Sequence, residues 1–370
     1  MIQLSENSKE EIEGFHELLL NTPNLCYSIF QNMTEGIVIT DTKANILHAN
    51  QAYCSISGYT LKELIGRNVN VLKSNLHDQS FYQGFWNCII SNGKWTGEIW
   101  NRHQSGRLYL QKVSIFAIRD EKGRVIQYAA VTTDISEEDK LRKDIVRTGI
   151  LQKTLLPSTL CLQSIIVETV FMPLNYIGGD FYDFYWDQEN QILSGYIIDI
   201  MGHGVTAAFQ NSVLRVLFSQ NFSHNSSLID VLSNINCEST NYFLEDTFAA
   251  GLCFRMDIQN GTLTYACAGM NKFIKCQANG EMVIVKQKGP YLGVMEHPAF
   301  TEHTISIAKG DSFYFMTDGF MDLFEKENRF RNNDFKENIN KLRGININEL
   351  KDDASAIGIF VKEVGGSSHV

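Results

Sequence analysis

Apolar residues along this chain alternate between helical spacing and short continuous runs. Ile12, Phe15, Leu18 and Leu19 fall on one helical face, so Lys9 to Leu20 is expected to form a short amphipathic helix. Its face would pack on the next part of the chain or on a second copy of it, and Pro23 lies just beyond the helix. Ser136-Glu137-Glu138-Asp139 offers a hydroxyl cap and an acidic first turn. Leu141, Ile145, Ile150, Leu151, Leu155 and Leu156 then give an incomplete stripe until Pro157, weakened by Gly149. A linker helix or a short dimeric coiled coil is expected there, the second because exposed stripes need a partner. Val205 to Phe218 is another amphipathic helix, in which Ala207 and Ala208 permit close packing.

The continuous runs read as strands. Gly36 to Thr40 and Ile46 to Asn50 flank the polar turn Asp41 to Asn45 and predict a hairpin. A helical stretch, Gln51 to Ile65, closes on Gly66. Trp95 to Trp100, Leu108 to Ile118 and Val125 to Thr132 add further strands, so this third of the chain is expected to be a small α+β cup. Further on, Ile192 to Ile198 reads as a buried strand, and Thr247 to Phe254, Gly261 to Gly269, Asp311 to Thr317 and Ala354 to Val361 repeat the pattern. Many apolar strands with a few long helices predict sheets covered by helices, again of the α+β class.

Composition narrows the options. The chain has 370 residues, enough for separate cores, and a net charge of −10, which argues against nucleic acid as the main partner. No apolar run is long enough to span a bilayer, and Met1-Ile2-Gln3-Leu4 is followed by polar residues, so neither a membrane span nor a signal peptide is expected. The 8 cysteines lack any CxxC pair, which suits reduced thiols in a cytoplasmic protein better than disulfides or zinc.

The candidate chemistry lies in acidic residues beside strands. Gly178-Gly179-Asp180 precedes a turn, Asp199 ends the run Ile192 to Ile198, Asp318-Gly319 ends another, and Asp352-Asp353 precedes the last strand. Carboxylates from distant parts of a chain can converge on two hard cations, Mn2+ or Mg2+, which lower the pKa of a shared water and clamp phosphoryl oxygens. No nucleophile elbow and no P-loop accompanies them. Isolated Asp-Gly clusters are also ordinary turns, but two of them flanking one buried strand favour a site.

The first third resembles a PAS sensor domain. Gly58-Tyr59-Thr60, Gly66-Arg67-Asn68, Gly93-Lys94-Trp95-Thr96-Gly97-Glu98, Asn101-Arg102-His103, Gly106-Arg107-Leu108-Tyr109 and Thr133-Asp134-Ile135-Ser136 carry the likeness in order. Val69 stands where the blue-light subclass has its reactive Cys, so a covalent flavin adduct is not expected. His48 and His77 as haem ligands, and Trp86, Trp95 and Trp100 as a flavin pocket, weigh no more than surface and core packing; no PAS cofactor is assigned.

The remainder resembles the PPM (PP2C-like) serine/threonine phosphatases, in the bacterial sporulation and general-stress (SpoIIE-like) branch. The motifs are Leu151 to Pro157, Gly178-Gly179-Asp180-Phe181-Tyr182-Asp183, Asp199-Ile200-Met201-Gly202-His203-Gly204, Ala268-Gly269-Met270-Asn271, Tyr291-Leu292-Gly293-Val294, Thr317-Asp318-Gly319 and Asp352-Asp353-Ala354-Ser355. The resemblance implies an α-β-β-α sandwich in which Asp199 bridges two metals, the Ile200 carbonyl helps hold one, Asp318 and Asp352 bind the other, and Asp180 holds a metal directly or through water. It favours Asp352 over Asp353. Met270 replaces a usual His and Ser355 a usual Thr, and neither change removes a carboxylate. The implied partner is a phosphorylated anti-sigma-factor antagonist, and the apolar stripe of the linker suggests a homodimer formed through the PAS domain and linker helix.

The expected layout is an N-terminal helix (1–23), a PAS domain (24–136), a signalling helix (137–157), a phosphatase domain (158–362) and a flexible tail (363–370). Two rivals remain. A diguanylate cyclase would use Gly178-Gly179-Asp180-Phe181, but Tyr182 and Asp183 come next without the signature Glu, and Asp199 and Asp318 would have no role. A non-catalytic scaffold with a phosphatase fold is the other, kept open by Met270.

Overall fold

The structure is a computed structural model that describes residues 22–202, 204–222, 226–244, 247–327 and 334–365. The helix expected at 9–20, His203 and the last five positions of the expected tail lie outside the described residues. The chain divides into two compact units between Lys143 and Asp144.

The first unit is a five-stranded antiparallel sheet with helices on one face. Its strands are β1 (Gly36–Thr40), β2 (Ile46–Ala49), β3 (Lys94–Arg102), β4 (Leu108–Arg119) and β5 (Val125–Asp134), in spatial order β2-β1-β5-β4-β3. Helix α1 (Pro23–Asn32) begins at the proline expected only to come after a helix, because proline is well suited to a first helical turn. The stretch Gln51 to Ile65 is not one helix but two, α2 (Gln51–Ser57) and α3 (Leu61–Leu64). Gly58 separates them at φ 81°, where an added Cβ would overlap the His103 ring. Thr60 and Glu63 then start the second helix with a capping box. Helix α4 (Gln79–Asn92), not singled out in the sequence, is capped by Asp78 and stopped by Gly93 at φ 71°. The apolar face of these helices closes on Val38, Ile46, Ile99 and Val113.

Helix α5 (Ser136–Leu155) runs where a linker helix is expected, and Leu141, Ile150, Leu151 and Leu155 on it are exposed. Beyond it the described residues of the second unit form the strands β6 (Leu160–Cys161), β7 (Ile165–Met172), β8 (Phe181–Asp187), β9 (Ile192–Ile200), β10 (Ala249–Asp257), β11 (Thr262–Ala268), β12 (Lys272–Cys276), β13 (Met282–Lys286), β14 (Glu302–Ser306), β15 (Ser312–Met316) and β16 (Ala354–Val361). They form two sheets, β14-β11-β10-β9-β8 and β13-β12-β15-β16-β7-β6. Phe181 and Tyr182, expected to lie in a turn, instead open β8. Glu363 and Gly365 also hydrogen-bond to Ser164 and Ile258, so order continues past the last strand.

The two sheets face each other across an apolar layer that includes Leu193, Ile197, Phe254, Phe273, Phe313, Phe315 and Ile357. Helices α6 (Val205–Asn221) and α7 (Leu228–Ser239) cover the outer face of the first sheet. Helices α8 (Asp318–Glu327) and α9 (Phe335–Arg343) cover that of the second. The result is the expected α-β-β-α sandwich in an α+β chain. Strand alternation decides where the acids go. On β9, Leu193 and Ile197 point between the sheets whereas Tyr196, Ile198 and Ile200 point to the helices, so Asp199 shares the inter-sheet face.

Phe254 and Phe315 stack at 4.5 Å with 5° between their planes, one from each sheet and both fully buried. Phe254→Ala should therefore cost about 3–5 kcal/mol of stability, read as a lowered midpoint in urea denaturation of the full chain. A change under about 1 kcal/mol would mean that the sheets do not depend on this contact.

Candidate functional site

The site lies where the two sheets open. Asp199 from β9, Asp318 at the start of α8 and Asp352 just before β16 line one cavity of about 380 Å3 with Met201, Phe248, Met270, Lys272 and Tyr291. These three acids are separated by long stretches of sequence, and the sandwich alone brings them together. Burial, and then the charges of Asp318, Asp352 and Asp353, push the Asp199 carboxyl up to about 7. Burial and Asp352 also raise Asp318. The cavity thus concentrates negative charge in one place, the condition that a cation relieves. Among the described residues, no three carboxylate, imidazole or thiol groups are close enough to hold an ion together as they stand.

Asp180 is placed differently. It does not line that cavity but lies buried behind it, with Oδ2 accepting a 2.8 Å hydrogen bond from Thr317 Oγ1. The Ser355 amide in turn donates to Thr317 Oγ1 at 2.8 Å. Burial and the Asp199 charge raise the Asp180 carboxyl well above the usual carboxylate range. Ile200 is also absent from the cavity lining, and its carbonyl lies against Gly179, where a Cβ would come within 2.9 Å.

The backbone before Asp180 is gripped from three directions. Gln152 on α5 donates from Nε2 to the Gly178 carbonyl at 2.7 Å and accepts from the Gly178 amide at 3.1 Å. Asp353 accepts from the Gly179 amide at 2.7 Å and from the Leu174 amide at 2.7 Å. Asn211 on α6 donates to the Asp180 carbonyl at 3.0 Å. So the doublet divides its work: Asp352 faces the cavity, and Asp353, 3% exposed, anchors the loop. Gly149, which weakens α5 by propensity, has a packing reason, since a Cβ there would overlap the Tyr176 carbonyl.

In the first unit, a cavity of about 110 Å3 is lined by Trp86 among others, but not by Trp95 or Trp100. Trp95 packs on Phe85 at 4.8 Å, and Trp100 lies under Lys143 Nζ at 5.5 Å. His77 Nε2 accepts a 2.8 Å hydrogen bond from the Trp100 amide while its ring stacks on Phe81 at 4.0 Å. That engagement explains His77 as a packed residue.

Family models match both units. A PAS domain model covers residues 34–137, and the model described as Stage II sporulation protein E (SpoIIE) covers 193–357. The chain joins a PAS domain to a SpoIIE-like domain. It is 32% identical to a nitrogen fixation regulatory protein of Klebsiella oxytoca over 31% of this chain and 23% of that one. It is 23% identical to the phosphoserine phosphatase RsbP of Bacillus subtilis (strain 168), over 46% of this chain and 43% of the relative. The chain thus spans less than half the length of either. The SiaA-PP2C domain of Pseudomonas aeruginosa matches 62% of this chain and 99% of its own at 17% identity and a TM-score of 0.49. No helix among the described residues is long and apolar enough to cross a membrane.

The sequence pointed to the carboxylates but not to the residues that position them. Asp353, Thr317 and Gln152 of the SpoIIE-like domain and its connector fall inside the sequence motifs, yet only the folded chain distinguishes an anchor from a cavity residue. Asp353→Ala removes two charge-assisted hydrogen bonds and strands the Leu174 and Gly179 amides. It should destabilise the domain by about 3 kcal/mol in urea denaturation of the full chain. An unaltered midpoint would show that the loop holds without this anchor.

Proposed function

We propose that the SpoIIE-like domain is a metal-dependent protein serine/threonine phosphatase of the PPM type, regulated by the PAS domain. The observation that carries this reading is the convergence of Asp199, Asp318 and Asp352 on one cavity. The likeness to RsbP, a phosphoserine phosphatase, supports it. The donors suit hard divalent ions, Mn2+ or Mg2+, because the described cavity lining offers carboxylates and neither thiol nor imidazole. Asp199, Asp318, Asp352 and the Ile200 carbonyl would hold two ions, with Asp180 contributing from behind directly or through water. When bound, the ions would acidify a water and offset the charge of the phosphoryl oxygens.

The chain's own residues set the stage for that chemistry. Asp199 and Asp318 place charge at the mouth of the inter-sheet space, where Asp199 is half-buried and Asp318 open to solvent. Asp353, Asn211 and Gln152 hold the loop that carries Asp180. Gln152 lies on the helix that leads out of the PAS domain, so a change in that helix can reach the metal-binding loop through one carboxamide. The exposed Leu141, Leu151 and Leu155 fall on one side of the helix, and we assign them to a homodimer contact. By family analogy the substrate is a phosphorylated anti-sigma-factor antagonist in a stress or sporulation pathway. A cyclase reading suits the site poorly, because Asp180 is buried under Thr317 instead of facing a nucleotide.

Turnover of p-nitrophenyl phosphate or a phosphoserine protein should require Mn2+ or Mg2+ and stop with chelator. Asp199→Ala should lower it by about a thousandfold or more, about 4 kcal/mol of barrier. Metal binding without turnover on any phospho-substrate would favour a scaffold. Gln152→Ala should lower turnover of the full-length protein by about tenfold, the worth of one to two hydrogen bonds. Unchanged turnover would remove the helix from the control of the site.

A further inference from the structure

We infer that Met201, Phe248 and Tyr291 form an apolar lip that seats the residue beside the phosphorylated Ser or Thr, so that the preferred substrate segment carries an apolar side chain next to its phosphoresidue. This rests on the phosphatase reading and specifies its substrate class. The three residues line the same cavity as Asp199, Asp318 and Asp352. Met201 is 50% exposed and Tyr291 42%, unusual for large apolar side chains at the rim of an acidic cavity.

The lip is built by backbone pairing. The Met201 amide donates to the Phe248 carbonyl at 2.9 Å, and Ala249 and Leu292 exchange hydrogen bonds at 2.9–3.0 Å. Three chain segments therefore run side by side and present Met201, Phe248 and Tyr291 in a row. The Phe248 and Tyr291 rings meet at 4.8 Å. Tyr291 also lies directly over Gly269, where φ is 83° and a Cβ would overlap its ring. That position thus excludes a side chain twice, by backbone conformation and by the ring above it. Such a held aromatic surface loses little side-chain freedom when it is covered.

Charge points the same way. Lys272 is the one cation among the described lining residues, and its Nζ pairs with Glu325 at 2.7 Å. The lip has no charged group with which to select an acidic or basic neighbour, and the nearby carboxylates disfavour an acidic one. Burial of an apolar side chain is the contact this rim can offer an extended segment, in which neighbouring side chains reach opposite faces and alternate ones the same face.

The test uses the full chain with Mn2+ and two kinds of substrate. One is p-nitrophenyl phosphate, which has no neighbouring residue. The other is a set of phosphoserine peptides with Leu, Asp or Lys placed in turn at each position from two before to two after the phosphoserine. In at least one position Leu should give kcat/KM about tenfold above Asp and Lys, the low end of what one apolar group is worth in a pocket. Tyr291→Ala should bring that ratio near one, chiefly through KM, and Tyr291→Phe should keep it. Turnover of p-nitrophenyl phosphate without a Leu preference, or with one that persists in Tyr291→Ala, overturns the lip and leaves the phosphatase reading standing. No turnover of either substrate kind overturns the phosphatase reading and the lip with it.

Discussion

The short loop from Gly178 to Asp180 is where the demands on the second unit meet. Its backbone must pass close enough to the end of β9 for Gly179 to touch the Ile200 carbonyl, which leaves no room for a Cβ. It must also satisfy buried amides and carbonyls that have no strand partner at that point. Gln152, Asp353 and Asn211 meet that need from a helix before the sandwich, from the edge of its last strand and from the helix after Asp199. Three remote parts of the chain are thereby tied to one loop, and the position of Asp180 depends on all of them.

Around that loop the carboxylates are crowded at a cost to stability. Burial raises Asp180, Asp199 and Asp318; the Asp199 charge adds to the effect on Asp180, the Asp318 charge to that on Asp199, and the Asp352 charge to that on Asp318. The apolar layer between the sheets, centred on Phe254, Phe273 and Phe315, supplies the stability that tolerates this crowding. The acids can sit at its open end because strand alternation turns Asp199 toward the same face as Leu193 and Ile197. A buried core and a charged mouth are successive positions on one face of one strand.

Helix α5 links this architecture to the PAS domain through chemistry that is specific at one end and open at the other. Its C-terminal half docks by the Gln152 carboxamide and by the close approach at Gly149. At its start, Asp139 pairs with Arg142 at 2.8 Å and Lys143 at 2.6 Å, and hydrogen bonds from both hold its carboxyl below the usual carboxylate range. Leu141 near the helix start and Ile150, Leu151 and Leu155 around Gln152 are exposed, whereas Ile145 between the two anchors is half-buried.

Much of this is legible without coordinates. The strand runs, the linker helix, the two-part organisation and the acidic clusters come from hydrophobic period and from Asp and Gly beside apolar runs, because local spacing constrains local structure. The break at Gly58 and the helix beginning at Pro23 escape that reading, since a helical pattern alone does not reveal a left-handed glycine or a first-turn proline. The resemblance already favours Asp352 over Asp353, but only the tertiary structure shows Asp353 holding the Leu174–Gly179 loop while Asp352 lines the cavity. Asp352 and Asp353 are neighbours with the same chemistry, and their separation into cavity and anchor depends on which side of the chain the Leu174–Gly179 loop comes to lie. Likewise Met201, Phe248 and Tyr291 show no common motif in the sequence, and strand pairing across long separations makes them one surface. Periodicity sets what each segment becomes; the burial of amides and charges at the meeting of segments sets what each side chain is for.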